Sequence, residues 1–358
     1  MFFSLDHEFV SCYCKDKTEF ATLLRECGNS RALARGKRVH SLLTSAGYGD
    51  DAILCNLVVQ MYGKCGNLDD ARSRIIRSGI YKDDVVLATA LVSMLGKFGE
   101  MEQARTVFSG MAKRTAISWN AMLAAYCDNG HARKALELYH AMDVDPDEVT
   151  YMTVAEACSS SRDLQEAGAL HERAAASGML AHVPLANALV AMYGKCGSLA
   201  DARAVFKRMP RRDATSWTSM IVACARGGDG VAGVAAFYAM GLEGVAPDEI
   251  SFLAVLFCCS HTGLGRQGRE FFVLMLEELG ARAEHYVCMV DLVGRLGWVE
   301  EAQRLLEAMP FQAGSIAWLA LLGSCNVQRS SRRGALAAER VIELELEEAR
   351  RGSDLQGL

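Results

Sequence analysis

Gly263-Leu-Gly265-Arg-Gln-Gly268 spells the glycine pattern with which a strand-to-helix turn cradles a dinucleotide pyrophosphate. That chemistry needs a strand before the first glycine. Here the stretch falls between two segments of helical apolar period, so it reads as an inter-helix turn and not as a cofactor site. The 13 cysteines are an odd number in a chain of 358 residues, and no Cys-x-x-Cys pair occurs. Structural zinc at the usual spacing is therefore not expected. Cys27, Cys158 and Cys258 lie inside apolar helical patterns and read as small, reduced core residues.

The composition excludes several classes. Half the residues are hydrophobic (51%) and 23% are charged, which is globular and not disordered. Five prolines and 16 methionines favour helix over a loop-rich or all-β chain. No apolar run approaches the ~18 residues of a membrane span. The net charge of −5 argues against non-specific nucleic-acid binding, which runs on clustered cations, but leaves room for a local basic stripe. Residues 1–16 hold Asp6, Glu8 and Asp16 against a single Lys15, so no transit or signal peptide is recognisable.

The elements that position side chains follow from an internal repeat. Met61-Tyr-Gly-Lys-Cys-Gly66 recurs as Met192-Tyr-Gly-Lys-Cys-Gly197, a spacing of four units of ~33 residues. Degraded copies between and after these phases divide the chain into units at 17–51, 52–84, 85–115, 116–147, 148–182, 183–213, 214–248, 249–282, 283–314 and 315–348. The twentieth residue of every unit is Ala or Gly: Gly36, Ala71, Ala104, Ala135, Ala167, Ala202, Gly233, Gly268, Ala302 and Gly334. A small residue at one fixed phase marks a close approach of two helices. The fifteenth is glycine at Gly66, Gly99, Gly130, Gly197, Gly228, Gly263 and Gly297, which suits a left-handed helix cap. Met111, Met142, Met209, Met240, Met275 and Met309 fall near the end of a second helix. Each unit thus reads as a helix–turn–helix. The fold expected is all-α, a right-handed α-solenoid superhelix of about ten repeats of 31–35 residues.

A tetratricopeptide repeat would need Trp-x-x-Leu-Gly-x-x-Tyr in its first helix, and that is absent. The units resemble pentatricopeptide repeats. The resemblance rests on Ile117-Ser-Trp-Asn-Ala-Met-Leu, Asp147-Glu-Val-Thr-Tyr, Pro247-Asp-Glu-Ile-Ser-Phe and the two Met-Tyr-Gly-Lys-Cys-Gly boxes. It covers ~330 residues. The alternating unit lengths are similar to the plant-type subclass of standard, long and short (PLS) repeats. Residues 283–314 look like its last short repeat, 315–348 like its E-type extension, with 1–16 an N-terminal remnant and 349–358 a tail. A second extension motif and a deaminase domain, which often follow, are not found. No His-x-Glu and no Pro-Cys-x-x-Cys occurs, and a zinc deaminase needs both. No sequence is left over for a metallonuclease domain. The chain is expected to have no catalytic residue, metal, cofactor or small-molecule substrate.

The resemblance implies binding of single-stranded RNA, one nucleotide per repeat, through the fifth and last residues of each unit. An amide at the fifth position favours pyrimidines, a hydroxyl purines, and a last-position Asp favours U or G. Carried over, Asn56 with Asp84, Asn120 with Asp147 and Asn187 with Asp213 each imply U. Thr89 with Thr115 implies a purine and Thr218 with Asp248 implies G. Met152 with His182 implies nothing readable, and Ala21, Leu253 and Val287 should read poorly. The implied target is 5′-U-R-U-n-U-G-3′. Each Asn and Thr is also open to a reading as a helix-start cap or satisfied polar group.

Lys64, Lys97, Lys195, Arg226 and Arg295 share the thirteenth position, a candidate phosphate stripe or a set of cations placed near helix C-termini. Ile53, Val86 and Ile117 at the second position resemble the wedges that sandwich bases, with half-buried packing as the alternative. Trp119, Trp217 and Trp318 at the fourth position read as core anchors, and His40 and His171 as packing residues.

By this resemblance the chain is a specificity factor in organellar RNA modification, C-to-U editing with a deaminase supplied in trans, in mitochondrion or chloroplast. Organellar splicing or transcript stability, a helical-repeat protein scaffold, and a truncated gene product are the alternatives.

Overall fold

The computed structural model describes residues 16–67 and 80–356. Among the described residues there are nineteen α-helices and no strand. The chain divides into two compact units, 1–161 and 162–358. Ala71, one member of the small-residue column, and the first 15 residues lie outside the described residues.

In the first unit, α1 (Lys17–Asn29) and α2 (Leu33–Ser45) form a hairpin, and α3 (Ala52–Cys65) opens the next repeat. Then α4 (Val85–Lys97) pairs with α5 (Met101–Ser109), and α6 (Ala116–Asp128) with α7 (Ala132–His140), before α8 (Glu148–Ser161). The opening helices of the repeats stack side by side: α1 on α3, α3 on α4, α4 on α6, α6 on α8.

The second unit begins with α9 (Leu164–Ala176). Its hairpins are α10 (Val183–Lys195) with α11 (Leu199–Arg208), α12 (Ala214–Arg226) with α13 (Gly230–Leu242), and α14 (Glu249–Thr262) with α15 (Gly265–Glu278). They continue with α16 (Ala283–Arg295) and α17 (Val299–Glu307), then α18 (Ser315–Val327) and α19 (Ser331–Gln356). Here α10, α12, α14, α16 and α18 stack in sequence. Each unit is thus an α-solenoid of helical hairpins. Helix α19 runs through Gln356, so residues 349–356, set apart above as a tail, lie within it; no proline interrupts this Glu- and Arg-rich stretch.

The turn inside each hairpin is built the same way. The fifteenth-position glycines have φ between 72° and 89° (Gly66 and Gly297 at the extremes). The backbone N–H of the next residue then reaches back to the carbonyl five residues earlier, as from Ser198 to Tyr193 (2.9 Å) and from Asp229 to Cys224 (2.9 Å). This is the left-handed cap that satisfies a helix's last carbonyls. At the same phase three repeats carry arginine instead, and Arg31, Arg162 and Arg329 are forced to φ 51°, 54° and 55°.

Small residues do the packing. All the described members of the twentieth-position column are buried. A methyl added at Gly36 would collide with Met61, at Gly233 with Cys258, and at Gly268 with Leu292. Gly268 and Gly263, members of the apparent dinucleotide fingerprint, therefore have structural reasons: Gly263 caps α14 at φ 73°, and Gly268 admits Leu292.

A second seam was not anticipated from spacing. The twelfth residue of one opening helix meets the tenth of the next. A methyl on Gly96 would lie 2.5 Å from Ala125 Cβ, and one on Gly194 would lie 2.7 Å from Ala223 Cβ. The glycine of the second Met-Tyr-Gly-Lys box, Gly194, is thus there for close helix approach, whereas a methyl at Gly63 in the first would meet only the Met94 side chain at 3.4 Å.

Trp119 and Trp217 are buried as core anchors, each edge-on to a phenylalanine (Phe108 and Phe206, both at 4.9 Å), while Trp318 is half-buried. Arg114 and Arg212 lie over those phenylalanine rings at 5.0 and 4.8 Å, closing the same module in both units. His40 and His171 pack edge-on against Tyr62 and Tyr193, with Nδ1 3.0 Å from each hydroxyl. Cys27, Cys158 and Cys258 are fully buried, and burial pushes the Cys258 and Cys259 thiols up to about 12, so they stay protonated and inert.

Candidate nucleic-acid interface

The last residue of a repeat is the N-cap of the next opening helix. Asp84 Oδ1 accepts from Leu87 N (2.9 Å), Asp147 Oδ1 from Thr150 N (2.8 Å), Asp213 Oδ1 from Ser216 N (2.8 Å) and Asp248 Oδ1 from Ser251 N (2.8 Å). Thr115 is held by Ser118, whose hydroxyl accepts from Thr115 N at 2.9 Å. Capping is why aspartate recurs at this phase, since it satisfies a donor that the helix leaves orphaned. It also fixes each carboxylate in space, and it leaves Asp147 and Asp213 within hydrogen-bond distance of the fifth residue of their own repeat.

The five reading pairs differ in what the fold makes of them. Asn120 is 9% exposed. Its amide nitrogen donates to Asp147 Oδ1 at 2.9 Å, and its oxygen accepts the Thr150 hydroxyl at 2.7 Å. Asn187, 6% exposed, donates to Asp213 Oδ1 at 3.1 Å, and its amide oxygen is buried without a partner. Asn56 instead accepts from Gln60 Nε2 at 3.4 Å and makes no hydrogen bond to Asp84. The threonines turn back onto their own helices: Thr89 donates to Val85 O (2.6 Å) and Thr218 to Thr215 O (3.0 Å). Neither is bonded to its paired residue, Thr115 or Asp248.

The carboxylates of the two joined pairs are held ionised. Burial alone would raise the pKa of Asp147 and Asp213. Donors from the backbone and hydroxyl of Thr150 or Ser216 and from the asparagine amide outweigh it, and both sit below the ordinary carboxylate range. An ionised carboxylate only accepts hydrogen bonds, as a partner for an imino or amide N–H must.

Beside these positions stand exposed aliphatic side chains. Ile53, Val86 and Ile117 are solvent-exposed, Ile117 by 70%. Val149, Ile250 and Ile316 occupy the same second position and are exposed as well. The sequence reading passed over these three, although an apolar residue at the second phase was the signal that could have found them.

The thirteenth-position cations are all exposed at the ends of opening helices. Lys64 donates to Asn29 Oδ1 at 2.7 Å, and Arg295 is paired with Asp291 at 2.8 Å, a carboxylate that also takes the Ser260 hydroxyl. Lys195 and Arg226 rim a groove of about 700 Å³ in the second unit. Thr218 lies on its wall, and further along it turns apolar at Leu253, Phe257 and Val287. Among the described residues no group of three His, Cys, Asp or Glu could hold a metal ion, and no helix is long and apolar enough to cross a membrane.

Residues 114–160 match the model of the PPR repeat family, and 86–115, 186–213, 215–245 and 284–311 match the PPR repeat. In Arabidopsis thaliana, pentatricopeptide repeat-containing protein At1g03540 is 34% identical over 92% of this chain and 49% of its own length. The chloroplastic pentatricopeptide repeat-containing protein CRR2 is 36% identical over 92% of this chain and 47% of its own. A putative mitochondrial one, At3g11460, is 32% identical over 92% and 48%. The chain spans about half the length of these relatives. The crystal structure of the pentatricopeptide repeat protein PPR10 in complex with an 18-nt psaJ RNA element is similar in fold. The TM-score is 0.73 at 19% identity, over 96% of this chain and 53% of that one.

Proposed function

The chain belongs to the pentatricopeptide repeat family, and on that premise we propose that it binds single-stranded RNA in a sequence-specific way. The observation that carries this is the pair Asn120–Asp147, repeated as Asn187–Asp213: an amide joined to an ionised carboxylate at the same phase of two repeats. Beside Asp84, Asp147 and Asp248, the second position of the next repeat offers an aliphatic face, Val86, Val149 and Ile250, against which an unstacked base can lie; beside Asp213 it is Thr215. In this reading the repeats run from 17 to 314 in the boundaries given above, as a PLS-type array with an E-type extension at 315–348.

The role follows as a specificity factor in an organelle, directing C-to-U modification by a deaminase supplied in trans, with no catalysis by this chain. PPR10 has been crystallised with RNA, and the relatives carry chloroplastic and mitochondrial names, which supports the reading. A second reading, a protein scaffold, is favoured by one observation: the groove of the second unit loses its polar lining at Leu253, Phe257 and Val287. Selection of bound RNAs from a random pool separates them. The RNA reading expects enrichment of a motif related to 5′-U-R-U-n-U-G-3′. A pool recovered without enrichment would favour the scaffold.

A further inference from the structure

Three pairs that share the same residue types, Asn with Asp, take three different geometries. What varies beside them is the third residue of the following repeat. Next to Asn120 and Asp147 it is Thr150. Its hydroxyl accepts from Asp147 N at 3.2 Å, so its single proton is shared between Asn120 Oδ1 (2.7 Å) and Asp147 Oδ1 (2.9 Å). Next to Asn187 and Asp213 it is Ser216, whose hydroxyl donates to Asp213 Oδ1 at 2.9 Å. There the amide–carboxylate bond forms, but the asparagine oxygen stays unpartnered. Next to Asn56 and Asp84 it is Leu87, which offers no hydroxyl, and the pair is not joined.

We propose that the hydroxyl at this third position is a positioning group for the reading amide of the preceding repeat, with Thr150 as the fullest case. A carboxylate cannot donate, so the amide must turn its NH₂ toward Asp147 and its oxygen away. Thr150 satisfies that oxygen and locks the flip, leaving one N–H and one lone pair at fixed places for a base edge. Ser216 holds the carboxylate and leaves the Asn187 oxygen needing a donor, which a base N–H supplies. With leucine at this position the asparagine is not held for reading. The inference rests on the base-reading proposal above, and it predicts that repeats with identical reading residues discriminate unequally.

The test uses the whole chain and single-stranded RNAs of the core U-A-U-A-U-G, varied to G at the third nucleotide (repeat 116–147) or the fifth (repeat 183–213). Thr150→Val removes the hydroxyl and keeps the shape. It is expected to reduce the U-over-G affinity ratio at the third nucleotide about threefold to tenfold, the worth of one hydrogen bond, and to leave the ratio at the fifth alone. Thr150→Ser keeps a hydroxyl and should stay within about twofold of the wild-type ratio. A merely structural threonine would lower the melting temperature and weaken all RNAs alike without moving the ratio. If the wild type discriminates and Thr150→Val keeps its ratio, the positioning inference is overturned and the base-reading proposal survives. If the wild type shows no preference at either nucleotide, both fall. Should Thr150→Val not fold, Ser216→Ala, read at the fifth nucleotide, is expected to show the same loss of ratio. An unchanged ratio there overturns the inference.

Discussion

Asp147 Oδ1 accepts the Asn120 amide at 2.9 Å while also capping helix α8 through Thr150 N at 2.8 Å, so one oxygen serves both the helix end and the candidate reading pair. Removing the side chain forfeits both. Asp147→Ala is expected to cost about 1–2 kcal/mol in stability, the range of a lost N-cap together with an unpaired buried amide. Urea denaturation followed by circular dichroism measures it. A change within about 0.3 kcal/mol would mean that neither bond matters to folding.

The same bonds set a pH dependence. Asp147 and Asp213 titrate below the ordinary carboxylate range despite burial, because backbone, hydroxyl and amide donors favour the ionised form. A carboxyl whose folded pKa is depressed stabilises the fold fully above its unfolded value, about 3.9, and that contribution fades as pH falls through the folded value. The melting temperature should therefore drop steeply in acid, and Asp147→Asn should make that drop shallower. Parallel acid limbs for the two proteins would show that Asp147 is not linked to folding.

Arg162 and Arg329 occupy a left-handed cap that glycine fills in seven other repeats. A non-glycine residue there costs roughly 1–2 kcal/mol of backbone strain, partly offset by the greater entropy glycine loses on folding. Arg329→Gly should raise stability by about 0.5–1 kcal/mol, and Gly228→Arg should lower it by a similar amount. Thermal melts of the two variants should move in opposite directions. Movement in the same direction would contradict the account of this column.

The cation column should divide in two. Lys97 and Lys195 are exposed and Lys64 is held only by a neutral amide, whereas Arg295 is already neutralised by Asp291. Replacing the three lysines by alanine should weaken all RNAs alike and reduce the slope of log K against log salt by roughly 0.7 for each lost phosphate contact. Arg295→Ala should leave the slope nearly unchanged. Equal effects from Lys195→Ala and Arg295→Ala would remove the distinction.

What could be read from the sequence was whatever one repeat encodes within itself. Gly66 and its counterparts announced the turn because few other residues take that backbone, and the Ala/Gly column announced close helices by its fixed phase, although the partner it meets in the next repeat, Leu292 for Gly268, was not legible. His40 and His171 were legible as packing residues from their shared phase, although their tyrosine partners were not. What escaped was encoded between repeats. Gly96 owes its place to Ala125 in the next repeat. Asn56 and Asn120 look alike at the fifth position and differ in the fold because Leu87 follows one and Thr150 the other. At 9% exposed and bonded on both sides, Asn120 is part of the fold as well.

The claim at the centre is that Asn120 with Asp147 reads one RNA base, and one measurement bears on it most directly: equilibrium binding of two RNAs that differ only in U or G at the third nucleotide of the core, for the wild type and for Asn120→Thr. A threonine is shorter, with one rotatable hydroxyl, and leaves room for a purine. The wild type is expected to prefer U and the variant G, a reversal of about tenfold or more in relative affinity, since a well-formed base contact discriminates by roughly 1–3 kcal/mol. Because Asn120 is buried, the comparison is made on folded protein at matched helicity, and the ratio is read rather than the affinity. A variant that binds the two RNAs in the wild-type ratio would contradict the account.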